Sequence, residues 1–125
     1  MSSGIRAIIR TGFGKARYSN GEVDLGYARV NIKDISIDSV LSVIAACFTK
    51  SIVESLKLNG NIEVLVSHYT DLDAILDGRI EDSEYLTIEA RGKGLSRSDI
   101  EKALANCPLY NMLKSKVRDI RVQDS

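Results

Sequence analysis

The sequence predicts an α+β protein built from antiparallel sheet and one long helix. Three observations carry this reading: a hairpin signal at Asn20-Gly21, a stretch from 38 to 58 without proline or glycine whose apolar residues fall at helical spacing, and alternating segments at 61–69 and 85–91. Strands, a long helix, two strands, short helices and a strand follow one another without βαβα alternation, which is the order of an α+β fold. With 125 residues, 44% hydrophobic and 27% charged, the chain can bury roughly two thirds of its unfolded surface, enough for one core. No repeat, linker or low-complexity tract divides it, so a single domain over 1–125 is expected.

The elements follow in order. Residues 5–10 are β-prone. Asn20-Gly21 joins a segment around 15–18 to one at 22–32, because both residues tolerate the left-handed geometry of a two-residue hairpin turn. Val23, Leu25 and Tyr27 alternate with Asp24 and Gly26, as in a strand with one covered face. In the long helix, Leu41, Ile44, Ala45, Phe48, Ile52 and Leu56 form one apolar arc opposite Lys50, Glu54 and Lys57, and Gly60 is the expected left-handed stop. Val40 and Val43 widen the apolar surface, so the first half of this helix needs cover on more than one side; a sheet supplies one and a partner subunit another.

Ile62, Val64, Val66 and His68 alternate with Glu63, Leu65, Ser67 and Tyr69, and residues 85–91 repeat the pattern. The acidic stretch at 70–83 has DxD spacing without the remaining ligand positions of a calcium loop, and is read as a solvated connection. Ser98 and Glu101 have capping-box spacing for a short helix to about Asn106. Pro108 disfavours helical geometry at Cys107 but suits a first helical turn, which places Cys107 near the N-cap of a helix over 109–114. A last strand is expected at 117–122.

Composition excludes several function classes. Seventeen basic residues balance seventeen acidic ones without a long charge block, so nucleic acid is not an expected partner. No segment is read as approaching the ~18 apolar residues of a membrane span, and the start carries no recognisable targeting signal, so a soluble chain is expected. Cys47 and Cys107 are too few for a disulfide framework and match no zinc motif, and His68, the sole histidine, is read as an ordinary strand position.

Cys47 sits in the apolar run "VIAACFTK". A free cysteine there either fills space as a small hydrophobe or reacts. It lies at the margin of the apolar arc, within a turn of Lys50 and Ser51, where a nearby cation favours the nucleophilic thiolate. Cys107, at a helix start, is either a small cap residue or a thiol whose ionisation the helix dipole favours.

The order of "VIAACF" at 43–48, two strands, a short helix and "NCPLYNML" at 106–113 resembles the OsmC/Ohr family of thiol-dependent peroxidases from about Asp38 onward, with a weaker echo at 11–21. The resemblance implies antiparallel sheets around a long central helix in an intertwined homodimer, with the reactive sites at the subunit interface. It implies reduction of organic hydroperoxides in the cytoplasm by Cys47 as peroxidatic and Cys107 as resolving cysteine. Neither a metal nor a cofactor is required; the reductant is an external dithiol of lipoyl or small-thiol type. The family's helix start resembles "NPEEL", whose glutamate holds an arginine near the reactive sulfur. Here "SIDSVL" stands at 36–41, the acid position falls on or beside Ile37, and Asp38 is the nearest carboxylate. Arg17 is the first choice for the arginine, with Lys15 and Arg10 as alternatives and Lys50 as a further auxiliary cation. The same residues also fit a non-enzymatic dimer whose interface binds an apolar ligand, or a redox sensor that relays oxidation to a partner.

Overall fold

A computed structural model describes Gly4 and residues 6–124, and the chain divides into two compact units, Met1–Ser36 and Ile37–Ser125. The first unit holds a three-stranded antiparallel meander of β1 (Arg17–Ser19), β2 (Glu22–Asp24) and β3 (Arg29–Asn31), followed by a 3₁₀ turn at Ile32–Asp34. Asn20 (φ 52°) and Gly21 (φ 82°) are both left-handed, so the β1–β2 turn is the one the dipeptide predicts, and Tyr18, Val23 and Val30 stand in register across the sheet. The expected alternation through Tyr27 fails after Asp24. The Asp24 carboxylate accepts the Gly26 N–H at 2.8 Å, Gly26 turns at φ 91°, and Tyr27 is left exposed. Of the β-prone stretch 5–10, Ile5 lies outside the described residues, and residues 6–10 form no strand; strand-prone residues need a partner ladder, and none of the described strands pairs with them. Val23 is the one buried hydrophobic residue described in this unit.

The second unit begins with α1 (Ile37–Leu56), continues through β4 (Glu63–Thr70), α2 (Leu72–Leu76), β5 (Glu84–Arg91), α3 (Arg97–Ala105) and α4 (Pro108–Leu113), and ends on β6 (Val117–Gln123). The helix stops earlier than the glycine predicts. Lys57 takes the left-handed position at φ 53° and the Leu58 N–H reaches back to the Val53 carbonyl at 3.2 Å, which is the six-to-one bond of a Schellman end, while Gly60 is not left-handed. The sheet order is β4-β5-β6. β4 and β5 are antiparallel, with Val66 opposite Ile88. β6 runs parallel to β5, which departs from the expected antiparallel sheet because the chain reaches β6 through the α3–α4 crossover and returns in the same direction.

The core lies between helices and sheet. Phe48 and Ile52 from α1 meet Ile88 and Ala90 from β5, Ile100, Ala103 and Leu104 from α3, Ile120 from β6 and Cys107. On β5, Leu86, Ile88 and Ala90 are buried while Tyr85, Thr87 and Glu89 are only partly covered, the signature of a strand with one packed face. The cap of α3 is Ser96, not Ser98: its hydroxyl accepts the Asp99 N–H at 3.2 Å, and Glu101 instead binds Arg97 at 2.8 Å along the helix. The acidic connection carries α2, capped by Asp71, whose carboxylate accepts the Ala74 N–H at 3.1 Å.

The expectation that no segment reaches membrane-spanning length does not hold for α1. Its 20 residues contain a window of mean hydropathy 1.5, long and apolar enough by length and composition alone. One face nevertheless packs Phe48 and Ile52 into the protein core, and Lys50 and Glu54 form an exposed ion pair on the helix. The apolar excess lies on the uncovered side, where Ile37, Val40 and Val43 are exposed.

Candidate functional site

Cys47 occupies the third turn of α1 and is exposed, whereas Phe48 beside it is fully buried, because successive helical residues point about 100° apart. The sulfur therefore lies on the stripe that runs from Ile37 through Val40 and Val43 at helical spacing. One turn further on, Lys50 donates to Glu54 at 2.9 Å. The Glu54 carboxylate, and more weakly Cys47, hold the Lys50 ammonium above its ordinary pKa against slight desolvation. Lys50 is thus a resident cation on the face of α1 that presents Cys47. Glu54 as its holder is legible in the i,i+4 spacing of the two residues.

Cys107 is the N-cap of α4, as the Pro108 argument predicts, with the helix starting one residue earlier, at Pro108 itself. It is 3% exposed. Its N–H donates to the Leu104 carbonyl at 2.9 Å, its own carbonyl accepts the Asn111 N–H at 3.0 Å, and its thiol makes no cap bond. The Asn111 amide donates to the Ala105 carbonyl at 3.1 Å, tying α4 to the end of α3. Tyr110, one turn after Cys107, meets Phe48 edge to face with ring centroids 6.0 Å apart. This contact was not anticipated; the aromatic residue three places after the cysteine in "NCPLYNML" was its signal.

The two cysteines thus sit on helices that pack together, one sulfur facing out and the other buried in the shared core. Asp38 lies in the first turn of α1, about 13 Å from Cys47 along the axis at 1.5 Å per residue, and its carboxylate has no partner among the described residues. Arg17 lies on β1 of the N-terminal unit opposite Asp24, Lys15 precedes it, and Arg10 stacks over Phe13 at 4.5 Å. His68 holds a strand position on β4 with Nε2 2.6 Å from Glu84. A cleft of about 590 Å³ in the second unit, lined by Leu58, Ile62, Glu63, Arg91 and Lys93 among others, includes neither cysteine.

Two three-stranded sheets, one long apolar helix and two short helices before a last parallel strand can be compared with solved structures. The organic hydroperoxide resistance protein of Elizabethkingia anophelis superposes with a TM-score of 0.58 at 18% identity, over 96% of this chain and 100% of that one. This chain has the OsmC/Ohr fold. OhrB of Bacillus subtilis gives a TM-score of 0.53 at 16% identity over 93% and 98% of the two chains. The OsmC structure from Legionella pneumophila gives 0.51 at 16% over 95% and 99%. No protein-family model matches the sequence, and no curated protein matches it. The OsmC/Ohr fold accounts for the order of elements on which the two cysteine segments lie, and the α+β expectation holds.

Proposed function

We propose that the protein is a thiol-dependent peroxidase for organic hydroperoxides. The observation that carries this reading is the disposition of the cysteines: Cys47 exposed within a turn of Lys50 on α1, and Cys107 at the N-cap of the helix that packs against α1. The likeness to organic hydroperoxide resistance proteins supports the same reading.

In the first step the Cys47 thiolate attacks the terminal peroxide oxygen. An S–O bond forms, the O–O bond breaks, the leaving alkoxide takes a proton to give the alcohol, and Cys47 becomes a sulfenic acid. In the second, the Cys107 thiol attacks that sulfur, water leaves, and a disulfide joins the two. An external dithiol then reduces the disulfide by exchange and is itself oxidised, consistent with a reducing cytoplasm and with no resident cofactor. Cys107 is buried and Cys47 is not, so in this reading a local rearrangement around the first turn of α4 brings the two sulfurs together. Such a rearrangement gives up the bonds from the Cys107 N–H to the Leu104 carbonyl and from the Asn111 amide to the Ala105 carbonyl.

The protein acts as a homodimer in this reading. A meander with one buried hydrophobic residue, and a helix with Ile37, Val40 and Val43 exposed, both leave apolar surface for a second copy to cover. A reductant-coupled assay with cumene hydroperoxide tests the activity: Cys47→Ser abolishes turnover, and unchanged turnover removes Cys47 from the mechanism. Intact mass after one equivalent of peroxide reads the disulfide as the loss of two hydrogens. Sedimentation tests the dimer.

A further inference from the structure

We propose that the acidic lobe between β4 and β5 is the docking site for the basic N-terminal arm of a second copy of this chain. The proposal rests on the self-association argued above and adds to it a contact outside the cysteine site.

The lobe comprises α2 and the 3₁₀ turn Ile80–Asp82. It carries Asp71, Asp73, Asp77, Glu81 and Asp82 against one cation of its own, Arg79. Interleaved with them, Leu72, Ile75, Leu76 and Ile80 are exposed, Leu76 at 83%. Such a cluster on a short helix between two strands is costly to leave in water, and a lone exposed leucine would be unremarkable where four together are not.

The acidic charge is only partly answered within the chain. Arg79 binds Asp77 at 3.2 Å and approaches Asp82 at 4.0 Å, and Asp71 caps α2. From β6 and the turn before it, Arg118 and Lys116 donate to the backbone carbonyls of Asp82 at 2.6 Å and Glu81 at 2.7 Å, which anchors the lobe to the sheet. Even with those two cations counted, the acids remain in excess. The carboxylates of Asp73 and Glu81 have no partner among the described residues.

The complementary surface is on the same sequence. Before Glu22 the chain has no acid, and it carries Arg6, Arg10, Lys15 and Arg17. Between these cations Ile8, Ile9 and Phe13 are exposed, Ile9 at 80%, and residues 6–14 form no strand of their own. A basic, apolar, strandless arm and an acidic, apolar, anchored lobe match in both charge and hydrophobicity, which is the pattern of complementary docking surfaces. In a two-fold dimer each copy offers one arm and one lobe, so the contact forms twice.

The test is sedimentation of the full chain with charge reversals. Arg6→Glu with Arg10→Glu reverses two of the arm's four cations and cancels its net charge; Asp73→Lys with Glu81→Lys does the same for the lobe at side chains that hold nothing in the fold, and circular dichroism melts confirm that each variant is folded. Each reversal alone is expected to weaken self-association about tenfold, and more salt to weaken that of the native chain. An equimolar mixture of the two variants is expected to associate more tightly than either variant alone, since the mixed dimer keeps one native arm on one native lobe and sets the new glutamates against the new lysines in the other contact. Three results overturn the proposal: native affinity in both variants, which leaves the dimer standing without this contact; recovery only when all four reversals are in one chain, which assigns the lobe to its own arm; or a native chain that is monomeric throughout, which removes the self-association as well.

Discussion

The ring of Phe48 meets that of Tyr110 edge to face, at 74° and 6.0 Å between centroids, and so joins the residue after Cys47 to the first helical turn after Cys107. Two segments far apart in sequence share one side of the core through this pair. Truncating Phe48, which is fully buried, removes its transfer energy and opens a cavity. Phe48→Ala is expected to destabilise the fold by about 3–5 kcal/mol, read from urea denaturation. A loss below about 1 kcal/mol contradicts the packing described.

The two cysteines differ in access. In the folded protein, iodoacetamide is expected to modify Cys47 and leave Cys107 protected, and peptide mapping reads the two separately; denaturation makes them equivalent. Equal modification of both in native buffer contradicts the buried position of Cys107.

Val43 is an exposed hydrophobic residue on the same stripe of α1 as Cys47. In the dimer reading, Val43→Glu lowers self-association by about tenfold or more while leaving the thermal melt of the monomeric fold in place, because the side chain has no core contacts to lose. Sedimentation and circular dichroism together separate these outcomes. A dimer of unchanged affinity places the interface elsewhere.

Lys57 ends α1 with a side chain in left-handed geometry. The strain of such a residue is about 1 kcal/mol or more, and glycine lacks it at some cost in unfolded-chain entropy. Lys57→Gly is therefore expected to stabilise the protein by about 0.5–1 kcal/mol in chemical denaturation. Destabilisation shows that the lysine side chain contributes more than its backbone strain costs.

Arg121, and more weakly Arg97, hold the Asp119 carboxyl below its ordinary value of 3.8. The folded pKa lies below the unfolded one, so the stabilisation is complete at pH above 3.8 and is lost as pH falls through the folded value. Arg121→Gln is expected to raise the Asp119 pKa, read by carboxyl NMR titration, and to flatten the acid limb of the stability curve. An unmoved titration removes Arg121 as the cause.

What the sequence disclosed depended on how local each decision was. Asn20-Gly21 dictates its turn by itself, and Pro108 fixes a helix start and thereby the position of Cys107. The apolar periodicity of α1 identified Phe48 and Ile52 as inward-facing. Choices between near-equivalent neighbours were not legible: Ser96 against Ser98 as a cap, or Lys57 against Gly60 as a stop, turn on where the core draws the helix ends. The direction of β6 is a property of the crossover, which no residue in 117–123 encodes. In the candidate site, the two cysteine segments and Lys50 stood out by residue type and spacing, whereas the Phe48–Tyr110 contact needed the fold to bring its halves together.

Because β6 supplies Ile120 to the core yet joins β5 only after the α3–α4 crossover, a nascent chain lacking its last stretch leaves one edge of β5 unpaired and the helices without their final neighbour. The second unit consequently cannot complete its packing step by step behind the ribosome. Until β6 joins, the core-facing side of α1, with Phe48 and Ile52, stays short of the cover that Ile120 completes.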